Sequence, residues 1–135
     1  MNPQELIKAA KQAMKNAYVP YSHFQVGAAL LCADGRVYTG CNVENASYGA
    51  TNCAERTAFF KAISEGEREF IAIAVCGGKE GVITQLTPPC GICRQVMAEF
   101  CKPDFKVYLT EDGCSYQELT LQKLLPYTFD SENLE

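Results

Sequence analysis

At 135 residues, 47% hydrophobic and 21% charged, the chain has the size and composition of one globular domain spanning residues 1–135. No apolar run approaches the ~20 residues needed to cross a bilayer, so no membrane partner is expected. Twelve basic against sixteen acidic residues leave a net charge of -4 with no Lys/Arg block, which argues against a nucleic-acid surface and suits a small polar substrate.

The predicted elements run as follows. Leu6, Ile7, Ala10, Ala13, Met14 and Ala17 fall on one helical face behind Asn2-Pro3, with proline acceptable in a first turn. Glu5, Lys8, Lys11 and Lys15 interrupt this segment, so it lacks the apolar core of an export signal. A cytoplasmic location follows as the expectation. Eight cysteines are then expected as thiols, metal ligands or small core residues rather than disulfides.

Val26–Cys32 and Arg36–Cys41 read as two strands joined at Ala33-Asp34-Gly35, whose Asp-Gly pair favours a tight hairpin. The polar stretch from Asn42 to Asn52 reads as an ordered loop. Cys53–Glu65 has helical composition and stops at Gly66. Phe70–Cys76 is a strand buried on both faces and ended by Gly77-Gly78. A helix opens at Cys90 behind Pro88-Pro89 and runs through Phe100, halted near Pro103. Phe105–Thr110 is a further strand, Ser115–Leu125 a turn and short helix, and Pro126 begins an irregular tail. This order predicts a mixed α/β sheet layered with helices.

Two clusters carry the chemistry: Thr51-Asn52-Cys53-Ala54-Glu55-Arg56 and Pro88-Pro89-Cys90-Gly91-Ile92-Cys93. Three thiolates, Cys53, Cys90 and Cys93, suit one Zn2+ and leave a tetrahedral ion an open corner where water becomes nucleophilic. Each thiol group starts a helix, where free N–H groups and the helix dipole favour a thiolate. Glu55 is placed to move protons beside that water. A closed structural site needs a fourth ligand, and Cys32, Cys41, Cys76, Cys101 and Cys114 do not repeat the paired spacing. The lone His23 lies outside both clusters. Three thiolates on Zn2+ carry a net negative charge, so Arg56 or Arg94 is expected to offset it by donating to sulfur, with Arg56 favoured.

Cys53-Ala54-Glu55-Arg56-Thr57-Ala58 together with Pro89-Cys90-Gly91-Ile92-Cys93-Arg94-Gln95 resembles the small, homotetrameric class of cytidine deaminases whose first zinc ligand is Cys. The likeness extends to Pro20–Ala29, Gly40–Tyr48 and Leu125–Phe129, nearly the whole chain. It implies a three-layer α/β/α fold with about five strands, and hydrolysis of cytidine and deoxycytidine to uridine and deoxyuridine plus ammonia, in pyrimidine salvage. Zn2+ would be the cofactor and no organic group is needed. Asn42 and Glu44 would bind the ribose 3'-hydroxyl, Phe24 would pack near the nucleoside, and Ala54 with Glu55 would read the pyrimidine amide edge. Ala46, Tyr48 and Phe129 would approach from neighbouring subunits. Two other readings are an aminoacylnucleoside antibiotic (blasticidin-type) deaminase and a noncatalytic zinc module.

Overall fold

A computed structural model describes residues 1–135. Its elements are α1 (Pro3–Met14), β1 (Phe24–Cys32), β2 (Val37–Cys41), α2 (Ala54–Ser64), β3 (Phe70–Lys79), α3 (Gly91–Phe100), β4 (Lys106–Leu109), β5 (Gln117–Thr120) and α4 (Leu121–Leu124), with single 3-10 turns at Tyr48–Ala50 and Ser131–Leu134. The five strands form one sheet in the order β2-β1-β3-β4-β5. Only β3 and β4 run parallel, with α3 as the crossover between them. No helix is long and apolar enough to cross a membrane.

Strand alternation divides the core into two layers. Ala28, Leu30 and Cys32 of β1, with Ile73 and Val75 of β3, face α2 and α3, where they meet Ala58, Phe59 and Met97. Ala29 of β1 and Ala72, Ala74 and Cys76 of β3 face α1 through Leu6, Ile7, Ala10 and Met14. Because β3 is covered from both sides, it reads as one continuous apolar run. Helix α1 starts on a reciprocal cap: Asn2 Oδ1 accepts from Glu5 N at 2.8 Å, and the Glu5 carboxylate accepts from Asn2 N at 3.3 Å.

Two glycines let the helices sit close to the sheet. A Cβ on Gly40 of β2 would lie 2.3 Å from the Ala54 carbonyl oxygen and 2.6 Å from Ala58 N, both backbone atoms of α2. A Cβ on Gly27 of β1 would lie 2.0 Å from the Ala10 carbonyl oxygen of α1. The two helices therefore rest on opposite faces of the sheet at backbone distance.

The structure corrects the expected boundaries at three places. Strand β3 does not end at Gly77-Gly78 but continues to Lys79, pairing Gly77 with Val26 and Gly78 with Gln25. The glycines are there because a Cβ on Gly78 would strike the Val82 carbonyl oxygen at 1.9 Å. Within Ser115–Leu125 lies the edge strand β5, in which Leu119 alone packs on the core among the polar Gln117, Glu118 and Thr120, too short a run to show an alternating pattern. The short helix is confined to Leu121–Leu124. Helix α1 stops at Met14, leaving Ala17 outside it.

Candidate active site

Cys53 and Cys90 are the N-cap residues of α2 and α3, and Cys93 sits in the first turn of α3. Both helix starts converge on one point from the same side of the sheet. The Cys53 and Cys90 sulfurs are 3.6 Å apart, and all three sulfurs lie within 4.8 Å of one another. Thiolates ~2.3 Å from a tetrahedral zinc stand ~3.8 Å apart, so this donor set fits Zn2+ without rearrangement. His23 is not part of it: it lies exposed in the loop before β1 at φ 58°, its carbonyl accepting from Glu80 N.

Charge around the sulfurs is offset on one side. Arg56 Nη2 donates to Cys53 Sγ at 3.3 Å, while its Nε is buried without a partner. The hydrogen bond from the Cys93 thiol, reinforced by Arg56, holds Cys53 down at about 5. Cys93, which donates its S–H hydrogen bond to that thiolate and is buried, is pushed up. Arg94 does something else: its Nε donates to the Pro89 carbonyl oxygen at 2.8 Å and its Nη1 to the Leu124 carbonyl oxygen at 2.6 Å. Of the two arginines, Arg56 is the one that donates to a cysteine sulfur.

Glu55, in the first turn of α2, is 3% exposed. Loss of water around its carboxyl, reinforced by the Cys53 charge and opposed by Arg56, moves it up to about 7. It borders a cleft of about 200 Å³ whose other walls include Val26, Asn42, Cys53, Ala54 and Cys90. Thr87 also borders this cleft, and a Cβ on Gly77 would lie 2.9 Å from its hydroxyl oxygen.

A second cavity, about 410 Å³, adjoins the first through Thr51 and is walled by Tyr21, Ser22, Glu44, Asn45 and Tyr48. Here Glu44 accepts from the backbone N–H groups of Tyr21 and Ser22 at 3.0 and 3.1 Å and from the Ser22 hydroxyl. The Ser22 bond, with the two N–H groups, keeps the carboxyl below its ordinary value. Asn42 bridges the base of β1: Oδ1 accepts from Val26 N at 2.9 Å and Nδ2 donates to the Phe24 carbonyl oxygen at 2.9 Å. One amide N–H and one lone pair remain free for a ligand.

Tyr48 is 78% exposed and packs edge-on against Tyr21, with centroids 6.2 Å apart. Ala46 is exposed on the same loop. Phe24 opens β1 beside Gly77. Phe129 is 58% exposed in the tail and borders neither cavity. The structure thus gathers Cys53, Cys90, Glu55, Ala54 and Asn42 on one cleft, with Cys93 buried next to the other two sulfurs, and Glu44 and Tyr48 on its neighbour. Ser22 went unassigned in the sequence and Arg94 was offered there only as a donor to sulfur, since a hydroxyl gripping a carboxylate or a guanidinium bridging two carbonyls leaves no spacing pattern.

Comparison with known proteins gives three kinds of match. The model of the cytidine and deoxycytidylate deaminase zinc-binding region matches residues 1–109. The chain is 58% identical over 134 residues to the cytidine deaminase of Halalkalibacterium halodurans, covering 99% of this chain and 98% of that one. It is 54% identical to the cytidine deaminase of Sporosarcina psychrophila, at 99% and 96% coverage. Among solved structures, a crystal structure of cytidine deaminase from Burkholderia pseudomallei superposes with a TM-score of 0.88 at 51% identity, covering 96% of this chain and all of that one.

Proposed function

The chain belongs to the cytidine and deoxycytidylate deaminase family, and from that premise we propose that it is a zinc-dependent cytidine deaminase. It hydrolyses cytidine and deoxycytidine to uridine and deoxyuridine plus ammonia, a step of pyrimidine salvage. The observation that carries this reading is a carboxyl only 3% exposed, Glu55, beside three thiols spaced for one zinc ion.

Zinc held by Cys53, Cys90 and Cys93 supplies the Lewis acidity that makes water nucleophilic at neutral pH. Glu55 takes a proton from the attacking water as its oxygen bonds to C4 of cytosine, and passes a proton to N3. A second proton transfer through Glu55 lets the amino nitrogen leave as ammonia when the C4–N bond breaks, and C4 is left as a carbonyl. A carboxyl held at about 7 exchanges protons in both directions near neutral pH, as these steps require. Arg56 draws charge from the Cys53 sulfur through its hydrogen bond and so eases the ionisation of water.

Asn42, through its free N–H and lone pair, and Glu44, ionised by its three donors, take the ribose 3'-hydroxyl. The backbone of Ala54 and the Glu55 carboxyl read the pyrimidine amide edge, and Phe24 packs against the nucleoside. Residues 1–135 act as one catalytic domain in the cytoplasm. Four copies assemble as a homotetramer in which Ala46, Tyr48 and Phe129 reach the neighbouring sites, a role that suits the exposure of Tyr48 and Phe129.

The test is the loss of cytidine absorbance on mixing with purified protein, expected to stop on chelation and return with Zn2+. Chelator-insensitive turnover, or none with zinc bound, would overturn the reading. Sedimentation at micromolar concentration checks the four-copy assembly.

A further inference from the structure

The tail leaves α4 at Leu125 and crosses a cavity of about 500 Å³ walled in part by Ala98, Cys101, Leu121, Pro126 and Tyr127. Packing is thin here, so hydrogen bonds fix the tail's course. Three of them do so. Arg94 Nη1 holds the Leu124 carbonyl at the root at 2.6 Å, the Thr128 hydroxyl folds back on the Leu125 carbonyl, and Gln95 Nε2 holds the Phe129 carbonyl at 2.8 Å. Between root and tip, Tyr127 stands fully exposed at φ 52°, a left-handed conformation that a residue with a Cβ adopts only at a steric cost. Such a conformation persists only where its surroundings enforce it. Beyond it, Asp130 and Asn133 close a reciprocal cap on the last turn.

The Phe129 ring nevertheless remains 58% exposed. A backbone pinned on both sides of a strained residue, carrying an aromatic ring that the chain itself does not cover, is a presented side chain.

We infer that Gln95 is a positioning residue: from the helix that carries Cys93, it fixes the Phe129 carbonyl and so aims the Phe129 ring at the nucleoside site of a neighbouring copy. This inference rests on the proposed role of Phe129 in nucleoside binding. Gln95 and Arg94 follow Cys93 directly on α3, so metal centre and tail share one rigid mount, and the ring's placement is referenced to the zinc ligands.

The experiment is a double-mutant cycle on the zinc-loaded protein with Gln95→Met, which keeps the side-chain length and removes the donor, and Phe129→Ala. Each single variant is expected to raise the KM for cytidine about threefold to tenfold, with the loss in kcat/KM carried by KM. The double variant is expected to be no worse than Phe129→Ala, because the mount has nothing left to aim. Zinc content and melting temperature should match the parent in all three. Should Gln95→Met fail to fold, Gln95→Glu removes the same donor. A normal KM in Phe129→Ala would remove Phe129 from the nucleoside site and the mount with it. A raised KM in Phe129→Ala beside a normal KM in the Gln95 variant, or losses that simply multiply, would overturn the positioning role alone.

Discussion

Glu55 feels opposed pulls: burial and the Cys53 charge raise its proton affinity, and Arg56 lowers it. Glu55→Gln keeps the shape and the burial but can neither take nor release a proton. Its turnover is expected to fall by about a thousandfold or more, with zinc stoichiometry and melting temperature unchanged; activity within tenfold of the parent would remove Glu55 from the reaction. The three-cysteine cluster and the buried Glu55 beside it were legible in the sequence because metal chemistry forces a spacing on such residues. Arg56 was favoured over Arg94 there without a contact to decide it, since each directly follows a cluster and only the fold turns one toward sulfur and the other toward two carbonyls. Away from the site, Asp112 accepts from the Cys114 and Ser115 N–H groups and the Ser115 hydroxyl, each at 2.8 Å, and lies at about 2. A depressed carboxyl stabilises the fold above its unfolded value, ~3.9, and loses that contribution as pH falls through about 2. Asp112→Asn should therefore melt below the parent at neutral pH, the two curves converging between pH 4 and 2; a constant gap across that window would contradict the assignment.

At the level of elements, the glycine seats separate stability from chemistry. Gly27→Ala and Gly40→Ala each push a helix off the sheet and should cost about 1–3 kcal/mol in chemical denaturation. Gly40 seats α2, whose first residues are flanked by Cys53 and include Glu55, so Gly40→Ala should also lower kcat/KM of the folded protein by about tenfold or more. Gly27 seats α1 on the far face, and Gly27→Ala should leave kcat/KM within about twofold; equal losses of activity in the two variants would refute this division. The sequence announced the helices and inner strands through their periodicity. It hid β5, a four-residue strand whose single apolar residue, Leu119, sits among Gln117, Glu118 and Thr120, and it disguised the end of β3, where Gly77-Gly78 reads as a break although it is a close crossing.

For the molecule as a whole, the three-layer arrangement brings together two helix starts whose cysteines, Cys53 and Cys90, are 37 positions apart in the chain. Between them lie α2, β3 and the turn before α3, much of the sheet's centre. An ion gripping both ends acts as a removable staple, shrinking the conformational freedom available to the denatured polypeptide. For a loop of that length the entropic saving is of order 4 kcal/mol by the relation used for covalent cross-links. Stripping zinc with a chelator should then depress the thermal midpoint by many degrees and broaden protection loss in hydrogen exchange across α2 and β3, while β4 and β5, outside the clasped stretch, change less. Scarcity of the ion would thus be felt as fragility of the scaffold as well as silence of the chemistry.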